Sequence, residues 1–165
     1  MEIELKLSLA QEDASRLRAH PLLAQSAQGP LVLQMHDIYV DTPDLQLCRH
    51  QAGLRVRQVD GRWVQTLKAG GNVSGGLHSR HEWEDDVPGP QPDLDAAIGR
   101  KQPIRALLAA DAAIGRKQPI RALLRQDAIR DALRPVFTTR IERTVWQLRT
   151  PQGDQIECVL DQGVI

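Results

Sequence analysis

The sequence predicts an α+β fold built on an antiparallel sheet, and three observations carry that prediction. Short segments with strict period-two alternation of charged and apolar residues recur along the chain. Tight-turn signals separate them: Asp41-Thr42-Pro43-Asp44, Asp60-Gly61 and Pro151-Gln152-Gly153-Asp154. One long stretch, residues 93–134, has helical rather than strand character. Runs of strands with a segregated helical block are the pattern of an α+β domain.

Residues 2–9 read as the first strand, because Glu2, Glu4 and Lys6 alternate with Ile3, Leu5, Leu7 and Leu9. Residues 10–26 read as helical, with Gln11, Glu12 and Asp13 in the first turn, where acids suit the helix dipole. Pro21 interrupts that helix and Gly29-Pro30 ends it. Leu31 to Val40 is apolar and partly β-branched, hence a second strand, and Asp41 to Asp44 turns the chain. Gly53 opens a strand over Leu54-Arg55-Val56-Arg57, and Asp60-Gly61 makes a hairpin into Trp63 to Lys68. Residues 69–77, rich in glycine, read as a loop. His78 to Val87 is a strand with Arg80, Glu82 and Glu84 on one face and His81, Trp83 and Asp85 on the other. After a proline-rich break comes the helical block, and residues 136–149 and 155–161 read as two further strands.

The helical block contains a duplication. Asp95 to Leu108 reads DAAIGRKQPIRALL, and Asp111 to Leu124 repeats it without a mismatch. Two identical copies do not make a solenoid. Pro103 and Pro119 stand where helices start, and Gly99 and Gly115 where they stop. The expectation is a lengthened helical connection, residues 95–124, at the periphery of the domain, where an insertion is tolerated at modest entropic cost.

A length of 165 residues suits one domain, and 41% hydrophobic with 25% charged residues is a globular balance. Zero net charge argues against a protein that coats nucleic acid, and the few aromatics make no stacking platform for a single strand. Cys48 and Cys158 lie far apart with no metal-ligand or redox spacing, so both read as reduced and structural. The sequence has no run of membrane-spanning length and no positively charged start before an apolar stretch. A cytoplasmic protein without nucleic-acid or membrane partners is expected.

The charged positions of these strands are Glu2, Glu4 and Lys6; Arg55 and Arg57; Lys68; Arg80, Glu82 and Glu84; Glu157 and Asp161. Taken singly, each strand fits a half-exposed sheet with its charges in water. Taken together, the arginines match phosphate oxygens bidentately, and surplus acids remain for a hard cation such as Mg²⁺. A barrel that turned this face inward would enclose a polar tunnel suited to a polyanion and its metal, and such an interior must hold water, ions or ligand.

These same residues carry a family resemblance. Glu2-Ile3-Glu4-Leu5-Lys6 resembles the ExExK signature of the CYTH superfamily, the triphosphate tunnel metalloenzymes. Tyr39-Val40-Asp41-Thr42-Pro43, Gly53-Leu54-Arg55-Val56-Arg57, Gln65-Thr66-Leu67-Lys68 and Arg80-His81-Glu82-Trp83-Glu84 follow in the family's order. Gly75-Gly76-Leu77-His78-Ser79-Arg80 and Leu160-Asp161-Gln162-Gly163 are similar to the bacterial inorganic triphosphatases that often carry a C-terminal CHAD domain.

The resemblance implies an eight-stranded antiparallel β-barrel with helices packed outside. It also implies a family that continues past Ile165 with a glutamate-rich strand and a closing strand. The domain, residues 1–165, is therefore expected to lack its last strands. By the same resemblance Glu2 and Glu4 bind Mg²⁺ or Mn²⁺, with Glu157 and Asp161 completing the acidic lining. Lys6, Arg55, Arg57, Lys68, Arg80 and Arg143 grip the triphosphate. Lys6, Glu82 and Glu84 are the implied catalytic residues. Arg143 is the best match to a basic residue of its strand, whereas Arg140 has the opposite parity. The implied reaction is metal-dependent hydrolysis of inorganic triphosphate or polyphosphate. Alternatives are an organic triphosphate such as thiamine triphosphate, a class IV adenylyl cyclase, and a non-catalytic polyphosphate-binding module. The resemblance also leaves room for a CHAD domain in a longer protein and for a homodimer.

Overall fold

A computed structural model describes residues 2–26, 29–74, 77–95, 104 and 119–165. Its strands are β1 (Glu2–Leu5), β2 (Leu31–Asp41), β3 (Ala52–Val59), β4 (Arg62–Ser74), β5 (Leu77–Val87), β6 (Arg134–Arg149) and β7 (Gln155–Val164). Its described helices are α1 (Ala14–Arg18), α2 (Gln46–Arg49), α3 (Pro119–Leu124) and α4 (Asp127–Ala132). Short 3₁₀ turns cover Gln11–Asp13 and Leu23–Gln25.

All seven strands form one antiparallel sheet in the order β1-β5-β4-β3-β2-β6-β7. Period-two alternation gives this sheet two unlike faces. On one face Ile38, Val40, Leu54, Leu67, Ala69 and Trp83 pack against Leu47 of α2 and Ile120, Leu123 and Leu124 of α3. A second cluster on the same face packs Trp146 and Leu160 under Ala14 of α1 and Leu23. By strand register the opposite face carries Asp37, Arg55, Arg57, Lys68, Glu82, Arg143 and Asp161.

The turn after β2 is held by its acid. Asp41 accepts hydrogen bonds from the backbone N–H groups of Thr42, Leu47 and Cys48 at 2.7, 2.8 and 3.0 Å. Thr42 Oγ1 donates to Asp44 Oδ1 at 2.7 Å and accepts from Gln46 N at 2.9 Å. The Asp-Thr-Pro-Asp turn thus starts α2 and holds buried Leu47 in the core.

Several elements differ from the sequence reading. The first strand ends at Leu5, so Lys6 follows it rather than lying within it. The segment 10–26 breaks into α1 and two 3₁₀ turns, with Pro21 between them denying the chain a helical donor. The glycine-rich loop is mostly strand: β4 runs to Ser74 and β5 starts at Leu77. Gly70, at φ +65°, accounts for this, because the pairing shifts register between Ala69 and Asn72 and then resumes. Most of the duplicated segment lies outside the described residues. Ile104 and Ile120, which hold matching places in the two copies, are both buried in the same core cluster. Both cysteines are free thiols, Cys48 exposed and Cys158 half-buried.

Candidate functional site

Antiparallel register brings acids and bases face to face. Arg57 stands opposite Asp37, Lys68 opposite Glu82, and Arg143 opposite Asp161. Arg57 Nε donates to Asp37 Oδ1 at 2.6 Å and Nη2 to Oδ2 at 2.7 Å. Arg143 repeats this fork on Asp161, at 2.7 Å from Nε and 2.6 Å from Nη2. Lys68 Nζ lies 3.8 Å from Glu82 Oε2. Directly opposed residues share a sheet face, so these pairs line one surface from β5 across to β7.

Arg55, opposite Tyr39 and Thr66, also belongs to this surface. Its Nη1 reaches Asp37 Oδ2 at 3.5 Å and its Nη2 donates to Thr66 Oγ1 at 3.4 Å. Arg55 Nε is buried without a hydrogen-bond partner among the described residues. Glu84 stands opposite Thr66, and Asp86 opposite Val64. Phe137 stacks on Tyr39 at a ring distance of 4.4 Å, beside the arginines.

The remaining expected site residues lie at the margins. Glu2 and Glu4 pair in backbone register with Arg80 and His78, which places β1 beside β5. The side chains of Glu2, Glu4 and Arg80 lie outside the described residues. Lys6 is exposed just beyond β1. Glu157, on β7, accepts a hydrogen bond from Gln147 Nε2 at 2.7 Å. Among the described residues no group of three or more His, Cys, Asp or Glu is close enough to hold a metal ion.

Sequence reasoning missed Asp37. The segment 31–40 reads as an apolar strand, and a lone acid in it draws little notice. The signal was present in its parity: Asp37 falls on the same side as Tyr39, opposite Ile38 and Val40 of the core. It missed the role of Asp85 as well. Asp85 and Gln65 are fully buried on the helix face. There Asp85 Oδ2 accepts from Gln65 Nε2 at 3.0 Å and from the backbone N–H of Ile104 at 3.1 Å. Burial raises the Asp85 pKa above its ordinary value, against the opposing pull of these hydrogen bonds.

The sheet thus carries helices on one face and in-register arginine–carboxylate pairs on the other. The chain belongs to the CYTH domain family, whose model matches residues 1–165. It is 29% identical over 164 residues to an inorganic triphosphatase of Haemophilus influenzae, covering 99% of this chain and 40% of that protein. The chain therefore spans well under half the length of this curated relative. Its fold is similar to a solved structure from Hippeastrum, HpAC1, classed with the adenylyl cyclases and described as having a dominant triphosphatase activity. That match has a TM-score of 0.63 at 22% identity, over 99% of this chain and 73% of that one.

Proposed function

We propose that the charged face binds inorganic triphosphate with a divalent metal and hydrolyses it to diphosphate and phosphate. The observation that carries this reading is the row of in-register cation–carboxylate pairs on the sheet face away from the helices. A carboxylate held bidentately by arginine presents the same two-oxygen geometry as a phosphoryl group. Side-chain burial points the same way. Arg57 is 14% exposed and Glu82 9%, on a face that the described helices do not cover. Low exposure on that face is what a sheet curved into a tunnel would give.

In this reading Arg55, Arg57, Lys68, Arg80, Arg143 and Lys6 grip the phosphate oxygens. Water attacks the terminal phosphorus, the bridging P–O bond breaks, and diphosphate leaves with the electron pair. The fixed cations stabilise the charge that spreads over the oxygens, without reorganisation during the reaction. Glu82 holds Lys68 in place, Glu84 stands on the same face, and one of these carboxylates would take the proton released by the attacking water.

The acids Glu2, Glu4, Glu157 and Asp161 offer the hard oxygen ligands that Mg²⁺ or Mn²⁺ prefers, while among the described residues no three such groups lie together in a ready-made metal site. Glu2 and Glu4 of β1, with Glu157 and Asp161 of β7, would hold it. Since β1 and β7 are the two ends of the strand order, one metal shared between them requires the ends to approach each other. When bound, the metal neutralises phosphate oxygens and lowers the pKa of a water.

A second reading rests on the Tyr39–Phe137 stack. Phe137 is 45% exposed, so its ring offers an apolar platform beside Arg55 to the ring of an organic triphosphate such as thiamine triphosphate. Phosphate release from tripolyphosphate, thiamine triphosphate and ATP, with Mg²⁺ or Mn²⁺, tests both readings. Tripolyphosphate as the preferred substrate supports the first. Preference for a ring-bearing substrate, lost in Phe137→Ala, supports the second. Binding of tripolyphosphate without hydrolysis of any of the three makes the chain a binding module.

A further inference from the structure

Asp37 is absent from the roles assigned above, yet among the described residues it is the most buried acid on the charged face. Its side chain is 1% exposed, against 39% for Asp161 in the matching pair on β7. Both of its oxygens are occupied by arginine: Oδ1 by Arg57 Nε, and Oδ2 by Arg57 Nη2 with Arg55 Nη1 at longer range. On the other side it faces Thr139 of β6, whose Oγ1 is buried without a hydrogen-bond partner. One carboxylate on β2 therefore sets the direction of two guanidinium groups on β3, and little else competes for it.

The two arginines are held unequally. Arg57 spends its bidentate edge on Asp37 at 2.6 and 2.7 Å. Arg55 makes only contacts of 3.4 and 3.5 Å, and its buried Nε has no acceptor. A buried donor without a partner is costly, so an arriving oxyanion gains most at Arg55. We infer that Asp37 is a positioning residue of the triphosphate site: it locks Arg57 as a fixed cation and tethers Arg55 so that its Nε stays open to a phosphoryl oxygen. This role rests on the proposed function for its substrate but not for its geometry.

The test combines side-chain NMR with kinetics. In the parent chain the Arg57 Nε–H is expected to exchange slowly with water, and that of Arg16, which is 84% exposed, to exchange fast. In Asp37→Asn the Arg57 protection is lost. Removing an anion makes the face more positive, so attraction for tripolyphosphate does not weaken. Misdirected arginines still lower kcat, by about tenfold or more, while KM stays level or falls. Asp37→Glu keeps the charge but not the reach, and it lowers kcat as well, which separates aim from charge. Fast Arg57 exchange in the parent overturns the inference, as does a kcat within about twofold of the parent in a folded Asp37→Asn or Asp37→Glu chain. If neither variant folds, the parent's exchange pattern decides. A parent that hydrolyses no triphosphate refutes the proposed function instead, and the exchange measurement still decides whether Asp37 fixes Arg57.

Discussion

Arg143 and Asp161 face each other across β6 and β7 and share two parallel N–H···O bonds of 2.7 and 2.6 Å. Their side chains are 25% and 39% exposed, so solvent screens the pair. Such a pair contributes roughly 0–1 kcal/mol to stability. It can therefore open at low cost, and in the proposed function that would release Arg143 to phosphate and Asp161 to a metal. Asp161→Asn is expected to shift the urea-unfolding free energy by less than about 1 kcal/mol. The same substitution is expected to reduce tripolyphosphate hydrolysis by about tenfold or more. A large stability loss with unchanged hydrolysis would mean the pair is structural.

Gly163 has a different reason to be where it is. A Cβ there would lie 2.1 Å from the Arg140 carbonyl oxygen and 2.9 Å from Ile141 Cα. Those atoms are backbone of the paired strand and cannot step aside without moving β6. Gly163→Ala is expected to destabilise the fold by about 1–3 kcal/mol, read as a lower urea midpoint. Hydrolysis should fall with it, because Asp161 is two residues away on the same strand. A variant as stable as the parent would show that β7 does not approach β6 this closely.

Asp85 gives a pH dependence whose sign can be worked out. Burial raises its pKa above 3.8 in the folded chain. Its contribution to stability is fully present below the unfolded pKa and is lost as pH rises through the raised folded pKa. Asp85→Asn lacks that loss. The stability of the variant relative to the parent should therefore improve as pH rises across this window, then level off. Urea unfolding at a series of pH values checks it. A pH-independent difference between the two chains would show that Asp85 titrates normally.

Much of this fold was legible in the sequence because alternation and turn chemistry are local. Lys68 and Glu82 read as charged strand positions from spacing alone, and the Asp41-Thr42-Pro43-Asp44 turn from its side chains. Pairing between strands is not local. Nothing in the run Leu31 to Val40 says that Asp37 will stand opposite Arg57, so this buried acid of the charged face passed as an isolated polar residue in an apolar strand. Composition misled at residues 69–77, where one glycine in the left-handed region absorbs the irregularity and the ladder continues. The helical signal of residues 10–26 overstated what a short, proline-interrupted segment forms.

The central claim is that an oxyanion binds on the charged face, at the arginines of β3. Calorimetric titration of tripolyphosphate into the parent chain, Arg55→Ala and Arg16→Ala tests it most directly. Arg16 is a matched control, an exposed cation on α1. Binding should weaken by about tenfold or more, some 1.4 kcal/mol, in Arg55→Ala and stay unchanged in Arg16→Ala. Equal affinities in all three chains, or equal losses in the two variants, would contradict the account.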